Sequence, residues 1–339
     1  MIVEPSSHTR RRRRRTFSPL AMADASAWCG PAGGTAASTP LTILGATLVA
    51  WYRADLGVTI VQGPVVKNGT TPPAVTFSGT PSSSANTIVL TCTAAGTNTT
   101  ATFSWTLNGV AQTPFTAAAT VVLPGTGITA TFPAGAYTNT PSADTYTSVV
   151  TVSSWADQSG NGFTATQAAA LQQFAYLPTG GPNSTPVMSG NNANTTNMQA
   201  AIGALTKPSW VWMVLQFTTT TVGYVLDAST TANTLGAKQS NPVSIFINSG
   251  AGLAWGGSTN GSFQALGLTF GASGSIASNG TVKVSGTSGT TSSTGLTIGS
   301  TLPSFTSSAD CLIAEVVVCS APPAANALSA YSQARYGFG

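Results

Sequence analysis

Short runs rich in Val, Ile, Thr and aromatic residues alternate along the chain with clusters of Gly, Asn, Pro and Ser. This spacing is typical of strands separated by tight turns, and it favours an all-β sandwich over alternating strands and helices. Asn-Gly pairs add a second turn signal, because both residues tolerate a positive φ. Strands are predicted at Thr87–Thr93, Ala101–Leu107, Thr120–Leu123, Trp210–Phe217, Val243–Ile247, Thr281–Val284 and Leu312–Val318, with Asn-Gly turns at 68–69, 108–109, 161–162, 260–261 and 279–280.

The C-terminal segment carries the one good helical pattern. Ser320, followed closely by two prolines, gives a start signal, and Gly337 gives a stop signal. Leu328 and Tyr331 lie between them at helical spacing. We therefore expect a short helix whose apolar face packs on a sheet.

The polar character of the chain comes from Ser, Thr, Asn and Gly, because only 6% of the residues are charged, against roughly a quarter in an average soluble domain. Six of the twelve basic residues form one unbroken N-terminal run. Without residues 1–15, six Lys/Arg and seven Asp/Glu remain, so the formal net charge falls from +4 to −1. The basic character therefore belongs to the N-terminal arm alone.

This arm has two interpretations: a solvated tail, or a segment that docks on an acidic partner. No aromatic residue interleaves the arginines, so specific nucleic-acid recognition is not expected. Residues 16–45 have little periodicity and indicate an extended linker, within which Met22 is an alternative start of translation. The candidate docking residues are Arg10, Arg11, Arg12, Arg13, Arg14 and Arg15.

No membrane span or secretion signal is expected. The longest apolar runs, such as Val211–Leu215 and Ile313–Cys319, have the length of strands and fall far short of the roughly 18 residues of a spanning helix. The stretch after the arginines lacks the apolar core of a signal peptide.

The four cysteines, Cys29, Cys92, Cys311 and Cys319, have no CxxC spacing, and the lone His8 completes no zinc set with them. If Cys311 and Cys319 end one strand, they lie about 26 Å apart, too far for a disulfide. We expect buried free thiols, with bridges between chains as the alternative.

Three sequence words resemble the concanavalin A-like, or laminin-G-like, jelly-roll domains that are common in phage and bacterial surface proteins. They are LVAWYRADLGVT (48–59), VSSWADQSGNGFTATQ (152–167) and IAEVVV (313–318) followed by LSAYSQARYG (328–337). The resemblance implies a jelly-roll sandwich with a short C-terminal helix. Members often carry an Asp-rich motif, in place of which this chain has PVMSGNNANTTNM (186–198), with amides and no carboxylate, so the resemblance does not extend to calcium or glycan binding.

The first two words normally follow each other closely, yet roughly 85 residues separate them here. The intervening residues 71–137, with SGTP, TATFSWTLNG and TGITATFPAGAY, resemble a small β module of phage tail and head appendages. Insertion into an exposed hairpin loop costs little closure entropy. We therefore expect a basic arm and linker at 1–45, a jelly-roll domain at 46–63 and 150–339, and an inserted Ig-like or small β domain at 64–149.

No catalytic residue is assigned. Glycoside hydrolysis needs two carboxyls about 5–10 Å apart across the scissile bond, and no two acidic residues here form such a pair on one strand face. Glu315 lies between apolar neighbours, where an ion pair with Arg53 or Arg335 is preferred to a role as catalytic acid. With His8 in the arm, no Ser-His or Cys-His arrangement is expected either.

Two binding sites are weak candidates. Asp157 and Asn161 in DQSGNG carry oxygens for a cation, but an Asx-type turn is preferred because one carboxylate makes a poor divalent site. Trp210 and Trp212 are predicted to be core, since residues 210–215 are apolar on both strand faces. Trp255, in a Gly-rich segment, is the candidate for stacking on a glycan.

The resemblances, the low charge and the arm favour a non-enzymatic structural virion protein of a tailed phage, assembled in the host cytoplasm. It would be a capsid decoration, head fibre, collar or tail appendage that docks through its arm and displays its β domains. A carbohydrate-binding adhesin for host attachment is the alternative, and a glycoside hydrolase is third. The expected partners are capsid, neck or tail proteins, further copies of the chain in an oligomer such as a trimer, and, for the adhesin, a cell-surface glycan. No cofactor is expected.

Overall fold

The computed structural model describes residues 38–68, 73–82, 87–139, 145–241, 244–257, 260–301 and 307–338. The arginine run and most of the predicted linker lie outside these ranges. Nearly all regular structure in the described part is extended, so the predicted all-β class is confirmed.

The helices are α1 (Pro40–Leu44) and α2 (Ser329–Tyr336), with 3-10 turns at Gly45–Thr47, Ala170–Gln172 and Pro182–Ser184. The strands are β1 (Leu48–Arg53), β2 (Val58–Gln62), β3 (Val66–Lys67), β4 (Thr76–Gly79), β5 (Ile88–Ala94), β6 (Gly96–Thr97), β7 (Thr102–Leu107), β8 (Val110–Thr116), β9 (Thr120–Leu123), β10 (Ile128–Thr131), β11 (Ala136–Tyr137), β12 (Thr145–Ser148), β13 (Val150–Trp155), β14 (Ala165–Thr166), β15 (Phe174–Leu177), β16 (Val187–Gly190), β17 (Met198–Leu205), β18 (Ser209–Phe217), β19 (Gly223–Asp227), β20 (Gly236–Asn241), β21 (Ser244–Asn248), β22 (Gly252–Trp255), β23 (Gln264–Phe270), β24 (Gly274–Ser278), β25 (Thr281–Gly286), β26 (Ser293–Ile298) and β27 (Cys311–Cys319).

The larger part of the chain folds as two antiparallel layers. In the first layer, β27 pairs with β18, and the order continues through β23 and β24 to β25. The other edge of β27 is shared by β1 and β16. The second layer runs from β2 through β13, β14, β17, β26, β19, β20 and β21 to β22. Strands β15 and β16 join the two layers along one side.

The predicted two-faced pattern of β18 determines how the first layer is covered. Val211, Met213 and Leu215 point into the core between the layers, where they meet residues of the second layer such as Ile202 and Ile298. The opposite face packs in a separate apolar cluster with α1 and α2. A strand that is apolar on both faces is thus covered on both.

The C-terminal helix is shorter than its predicted signals imply, because it begins at Ser329 and not near Ser320. The backbone N–H of Ser320 donates to the carbonyl of Thr47 (2.9 Å), which ties this residue to the turn before β1 instead of to a helix. The predicted stop is present: Gly337 caps the helix with a φ of 82°. Among the described residues, no helix is long and apolar enough to cross a membrane.

The segment between β2 and β13 has its own sheets and its own core. One sheet has the order β3-β12-β5-β7-β8, and a second has the order β4-β10-β9. Their facing side chains, including Leu90, Phe103 and Phe132, form an apolar cluster separate from that of the larger sandwich. The flanking strands β2 and β13 pair with each other, so the segment leaves and re-enters at a hairpin. That residues 64–149 are an independent domain stays a prediction.

Two predicted Asn-Gly pairs form hairpin turns. Asn108 and Gly109, between β7 and β8, have φ values of 52° and 78°. Asn279 and Gly280, between β24 and β25, have φ values of 48° and 73°. Positive φ at both central residues is what a two-residue hairpin with a type I′ turn requires.

Candidate functional site

Glu315 is fully buried in the middle of β27, and three ring donors satisfy its carboxyl. The indole N–H of Trp51 donates to Oε1 (2.5 Å), the hydroxyl of Tyr331 donates to both oxygens (2.8 and 2.9 Å), and that of Tyr336 donates to Oε2 (2.6 Å). Desolvation raises the pKa of Glu315, and the hydrogen bonds from Tyr336, Tyr331 and Trp51 oppose that rise. The carboxyl joins β27 to β1 and α2.

The predicted ion pair of Glu315 with Arg53 or Arg335 is wrong. Both arginines bind Asp55 instead: Arg53 Nε and Arg335 Nη2 each lie 2.7 Å from its carboxylate. Arg53 stands opposite Glu315 in the β1–β27 register, but Asp55 is nearer the surface, where a charged pair keeps part of its hydration. Partial burial raises the pKa of Asp55, yet the hydrogen bonds from Arg335 and Arg53 hold it below the usual value.

The candidate cation residues Asp157 and Asn161 take part in an Asx-type turn. Oδ1 of Asp157 accepts from the backbone N–H groups of Trp51 (2.9 Å) and Ser159 (2.8 Å), and Oδ2 accepts from the Ser159 hydroxyl (2.7 Å) and the Phe163 N–H (3.2 Å). The side-chain amide of Asn161 donates to the carbonyls of Leu48 (3.2 Å) and Val49 (2.9 Å). This arrangement fastens the DQSGNG turn to β1.

The remaining described carboxylates are also bound by protein donors. Asp227 is fully buried and accepts from the N–H groups of Ala228 and Asn233 and from the Thr301 hydroxyl (2.7 Å). Asp310 accepts from the Asn192 N–H (2.7 Å) and the Thr219 hydroxyl (2.9 Å). Within the part of the chain that the structure describes, no three His, Cys, Asp or Glu residues come together as a metal site.

The tryptophans differ in their exposure. Trp212 is buried on the outer face of the first layer, as its position in β18 predicts. Trp210 is predicted to be core but is only half-buried, because small residues beside it leave part of its ring uncovered. Trp255, the predicted glycan candidate, is also half-buried and packs its ring against the core between the layers.

A groove of about 240 Å³ opens beside Trp210 on the outer face of the first layer. Its floor consists of small residues of β23 and β24, including Gly267 and Ala277, and Val282 of β25 lies at its rim. The chain segment that leads into α2, from Pro322 to Leu328, forms the opposite wall together with Ser329 and Ser332 of α2.

A second, wider groove of about 490 Å³ lies beside the DQSGNG turn, between the start of β1 and the end of β17. Ser159, Asn161 and Phe163 line one side, and Gly203 and Leu205 line the other. Neither groove has a charged side chain in its described lining. Both are therefore suited to uncharged ligands.

The described cysteines, Cys92, Cys311 and Cys319, are buried thiols that form no disulfide among the described residues. Burial raises the pKa of both Cys311 and Cys319 to about 12. Such thiols are inert at neutral pH, because the thiolate is the reactive form. The structure thus agrees with the expectation of buried thiols for these three residues. Cys29 and the candidate docking residues Arg10–Arg15 lie outside the described residues.

No protein-family model and no curated protein matches this chain. Among solved structures, the chain is similar to the binding domain of botulinum neurotoxin serotype G, at 12% identity over 53% of this chain and 48% of that chain, with a TM-score of 0.42. The sialidase of Trypanosoma rangeli in complex with DANA is 12% identical over 52% of this chain and 30% of that chain, with a TM-score of 0.38. A third similar structure is domain 4 of AbnA, a GH43 extracellular arabinanase from Geobacillus stearothermophilus, in complex with arabinotriose. It is 14% identical over 52% of this chain and 92% of that chain, with a TM-score of 0.34.

The chain spans about half the length of the neurotoxin domains that it matches. At these TM-scores the likenesses assign no function to this chain.

Sequence reasoning did not find the groove beside Trp210. A signal for it was present: Ala265, Gly267 and Thr269 in β23, and Ser275 and Ala277 in β24, are small residues at period two. Neighbouring strands with small side chains on the same face leave a hollow, which the pattern alone indicates once the strands are known to pair.

Proposed function

We propose that this protein is a non-catalytic, carbohydrate-binding attachment protein. The proposal rests on one observation: among the described residues, no acidic side chain lines either of the two grooves. Every carboxylate in the described ranges is hydrogen-bonded within the framework, and the two grooves have uncharged linings. Hydrolysis of a glycosidic bond needs two carboxyls facing the substrate. Binding of a sugar needs only apolar rings and a few well-placed polar groups.

The test combines a glycan array with a hydrolase screen on the full chain. We expect retention on a subset of immobilised glycans and no release of reducing ends from β-glucans or other polysaccharides. Release of reducing ends that disappears in Glu315→Gln, while the variant remains folded, would show an enzyme. An array without any bound glycan would leave no support for the attachment role.

A second candidate function is that of a structural appendage of a tailed-phage virion, and it is compatible with the first. The division of charge in the sequence favours it, because an arm of six arginines precedes a body of net charge −1. Guanidinium groups fork onto carboxylates, so such an arm suits an acidic surface on a virion protein. The β layers would then project from the particle, probing the host surface.

Incorporation into particles tests this second candidate. A chain truncated before Ala23 should load less well than the full chain, and loading of the full chain should fall as salt rises, because exposed charge pairs are screened. Equal loading of the two chains at every salt concentration would place the attachment surface on the β body.

A further inference from the structure

We propose that the groove beside Trp210 binds a single uncharged pyranose ring. The proposal rests on the carbohydrate-binding function proposed above, and it names the site and the class of sugar. The site lies on the outer face of the first layer, between β24–β25 and the segment that leads into α2. It is separate from both the DQSGNG turn and Trp255.

The groove exists because one position of its floor has no side chain. A Cβ built on Gly267 would lie 3.6 Å from Nε1 of Trp210 and 3.6 Å from Cβ of Ala277, so any residue larger than alanine would fill the space. Glycine thus keeps the floor low and leaves the indole of Trp210 half-uncovered. A partly exposed indole at a recess is the group on which the apolar face of a sugar stacks.

A buried polar group without a partner lines the same groove. Ser332 of α2 is 1% exposed, and its hydroxyl has no hydrogen-bond partner among the described residues. A serine within a helix can bond to the carbonyl four residues earlier. Here the carbonyl of Leu328 accepts the backbone N–H of Ser332 (2.8 Å), and the Ser332 hydroxyl makes no such bond among the described residues. Buried hydroxyls are normally satisfied, so this one points to a ligand or to an ordered water that a ligand displaces.

The polar side-chain groups of the lining are hydroxyls, one amide and the indole N–H groups of Trp210 and Trp212, all of them uncharged. Ser275 and Thr269 bond to each other (3.1 Å) and keep further capacity to donate and accept, and Asn326 adds its amide from the wall. Since a bound carboxylate would require a cation that this lining does not supply, sialic and uronic acids fit poorly. An uncharged sugar satisfies the hydroxyls without leaving a charge unpaired.

The volume limits the ligand to about one ring. At about 240 Å³ the groove is smaller than typical sites for drug-sized ligands, which measure roughly 300–1,000 Å³. A longer glycan would place one residue in the groove and extend the rest past Val282, which is 56% exposed at the rim. We therefore expect recognition of a terminal or side-branch residue.

The experiment uses the full chain and saturation-transfer NMR with the methyl glycosides of glucose, galactose, mannose and N-acetylglucosamine, and with sialic acid as the charged probe. Three variants are compared with the unaltered protein: Trp210→Ala, Ser332→Ala and Trp255→Ala. Trp255 is the matched control, because it is also a half-buried tryptophan at a strand but lies outside the groove. Thermal unfolding of each variant monitors the fold.

We expect at least one neutral glycoside to bind, with an affinity about tenfold lower in Trp210→Ala and unchanged in Trp255→Ala. Ser332→Ala is the sharper variant. Its hydroxyl bonds to no described group, so the change should not lower the free energy of unfolding, while it should weaken binding about threefold. Loss of binding in Trp255→Ala alone, or stronger binding of sialic acid, would overturn the groove assignment but leave carbohydrate binding intact. If no sugar binds the unaltered protein in this assay or on the array, the proposed function itself fails.

Discussion

A buried carboxyl group holds together parts of the chain that lie far apart in sequence. Glu315 accepts hydrogen bonds from Trp51 and from two tyrosines of α2, so one side chain fixes both the first strand and the last helix. Removal of a partner from such a cluster leaves polar groups unsatisfied, which costs more than the bond itself contributes.

Replacing Glu315 with glutamine should therefore destabilise the protein. The glutamine amide presents a donor to hydroxyl and indole groups that are themselves donors, and we expect a loss of about 1–3 kcal/mol in the free energy of unfolding. Urea denaturation of Glu315→Gln measures it, with Tyr331→Phe as the control that removes one donor and leaves the carboxylate. Equal stability of Glu315→Gln and the unaltered protein would show that the cluster does not anchor α2.

The pH dependence of stability tests a second titratable group. Lys207 is half-buried and donates to the hydroxyls of Ser209 and Ser293 (both 3.1 Å), and desolvation lowers its pKa to about 8. The unfolded chain keeps the ordinary value of 10.5. Between these values the unfolded state binds more protons than the folded one, so stability should rise with pH across this window.

We expect the difference in unfolding free energy between the unaltered protein and Lys207→Met to shift in favour of the unaltered protein from pH 7.5 to about pH 9.5. Comparison with the variant cancels the tyrosines and other groups that titrate at high pH. A difference that stays constant over this range would mean that the Lys207 amine is hydrated in the folded protein.

Single-residue environments were the least predictable part of this protein. The acidic character and apolar neighbours of Glu315 indicated burial, but its three donors come from residues 51, 331 and 336. Arg53 was a reasonable partner, since it lies opposite Glu315 in the strand register. Only the positions of the side chains show that Asp55 binds Arg53, and that the hydroxyl of Ser332 has no hydrogen-bond partner among the described residues.

At the scale of secondary structure, local signals were sufficient where a strand is bounded by turns. The predicted strand Thr120–Leu123 is observed without change, and Leu312–Val318 is extended by one residue at each end. The start of α2 was misplaced, because tertiary hydrogen bonds of Ser320 override its tendency to cap a helix. Sequence motifs thus located the elements, and packing decided where one of them begins.

The segment between β2 and β13 should prove independent. It has its own apolar core, and it joins the larger sandwich at two strands that already pair with each other. Replacement of residues 64–149 by a short Gly-Ser bridge should leave a soluble sandwich domain that unfolds cooperatively, because closing a hairpin loop costs little entropy. Circular dichroism and calorimetry of the shortened chain measure this, with the isolated segment 64–149 as the reciprocal comparison. If the shortened chain melts without cooperativity, the two cores depend on each other.

At the scale of the whole molecule, acidic residues are few, and the carboxylates that the structure describes are bound by protein donors. Four of the described ones bind backbone N–H groups, hydroxyls or indole, and Asp55 binds two arginines. A protein of this kind gains cohesion from hydrogen bonds of neutral side chains, so its stability should respond weakly to divalent cations.

Melting temperature in EDTA and in excess calcium tests this expectation. We expect the same melting temperature in EDTA and in calcium, because the oxygens of Asp157 already accept hydrogen bonds from four protein donors. A ligand that binds only the folded state raises the melting temperature. A calcium-dependent rise that is lost in Asp157→Asn, but retained in Asp55→Asn, would reveal a cation site at the DQSGNG turn.

The pairing of β2 with β13 has a consequence for how this architecture diversifies. The backbone N–H of Gly63 donates to the carbonyl of Val149 (2.8 Å), so the two attachment points of the intervening segment are closed independently of what lies between them. Hydrogen-bonded residues on antiparallel strands are about 5.5 Å apart at their Cα atoms. Any compact domain whose chain ends lie that close together fits between β2 and β13 without altering the pairing of these strands. The β2–β13 hairpin is thus a position at which one inserted segment can replace another while the pairing of the two flanking strands stays the same.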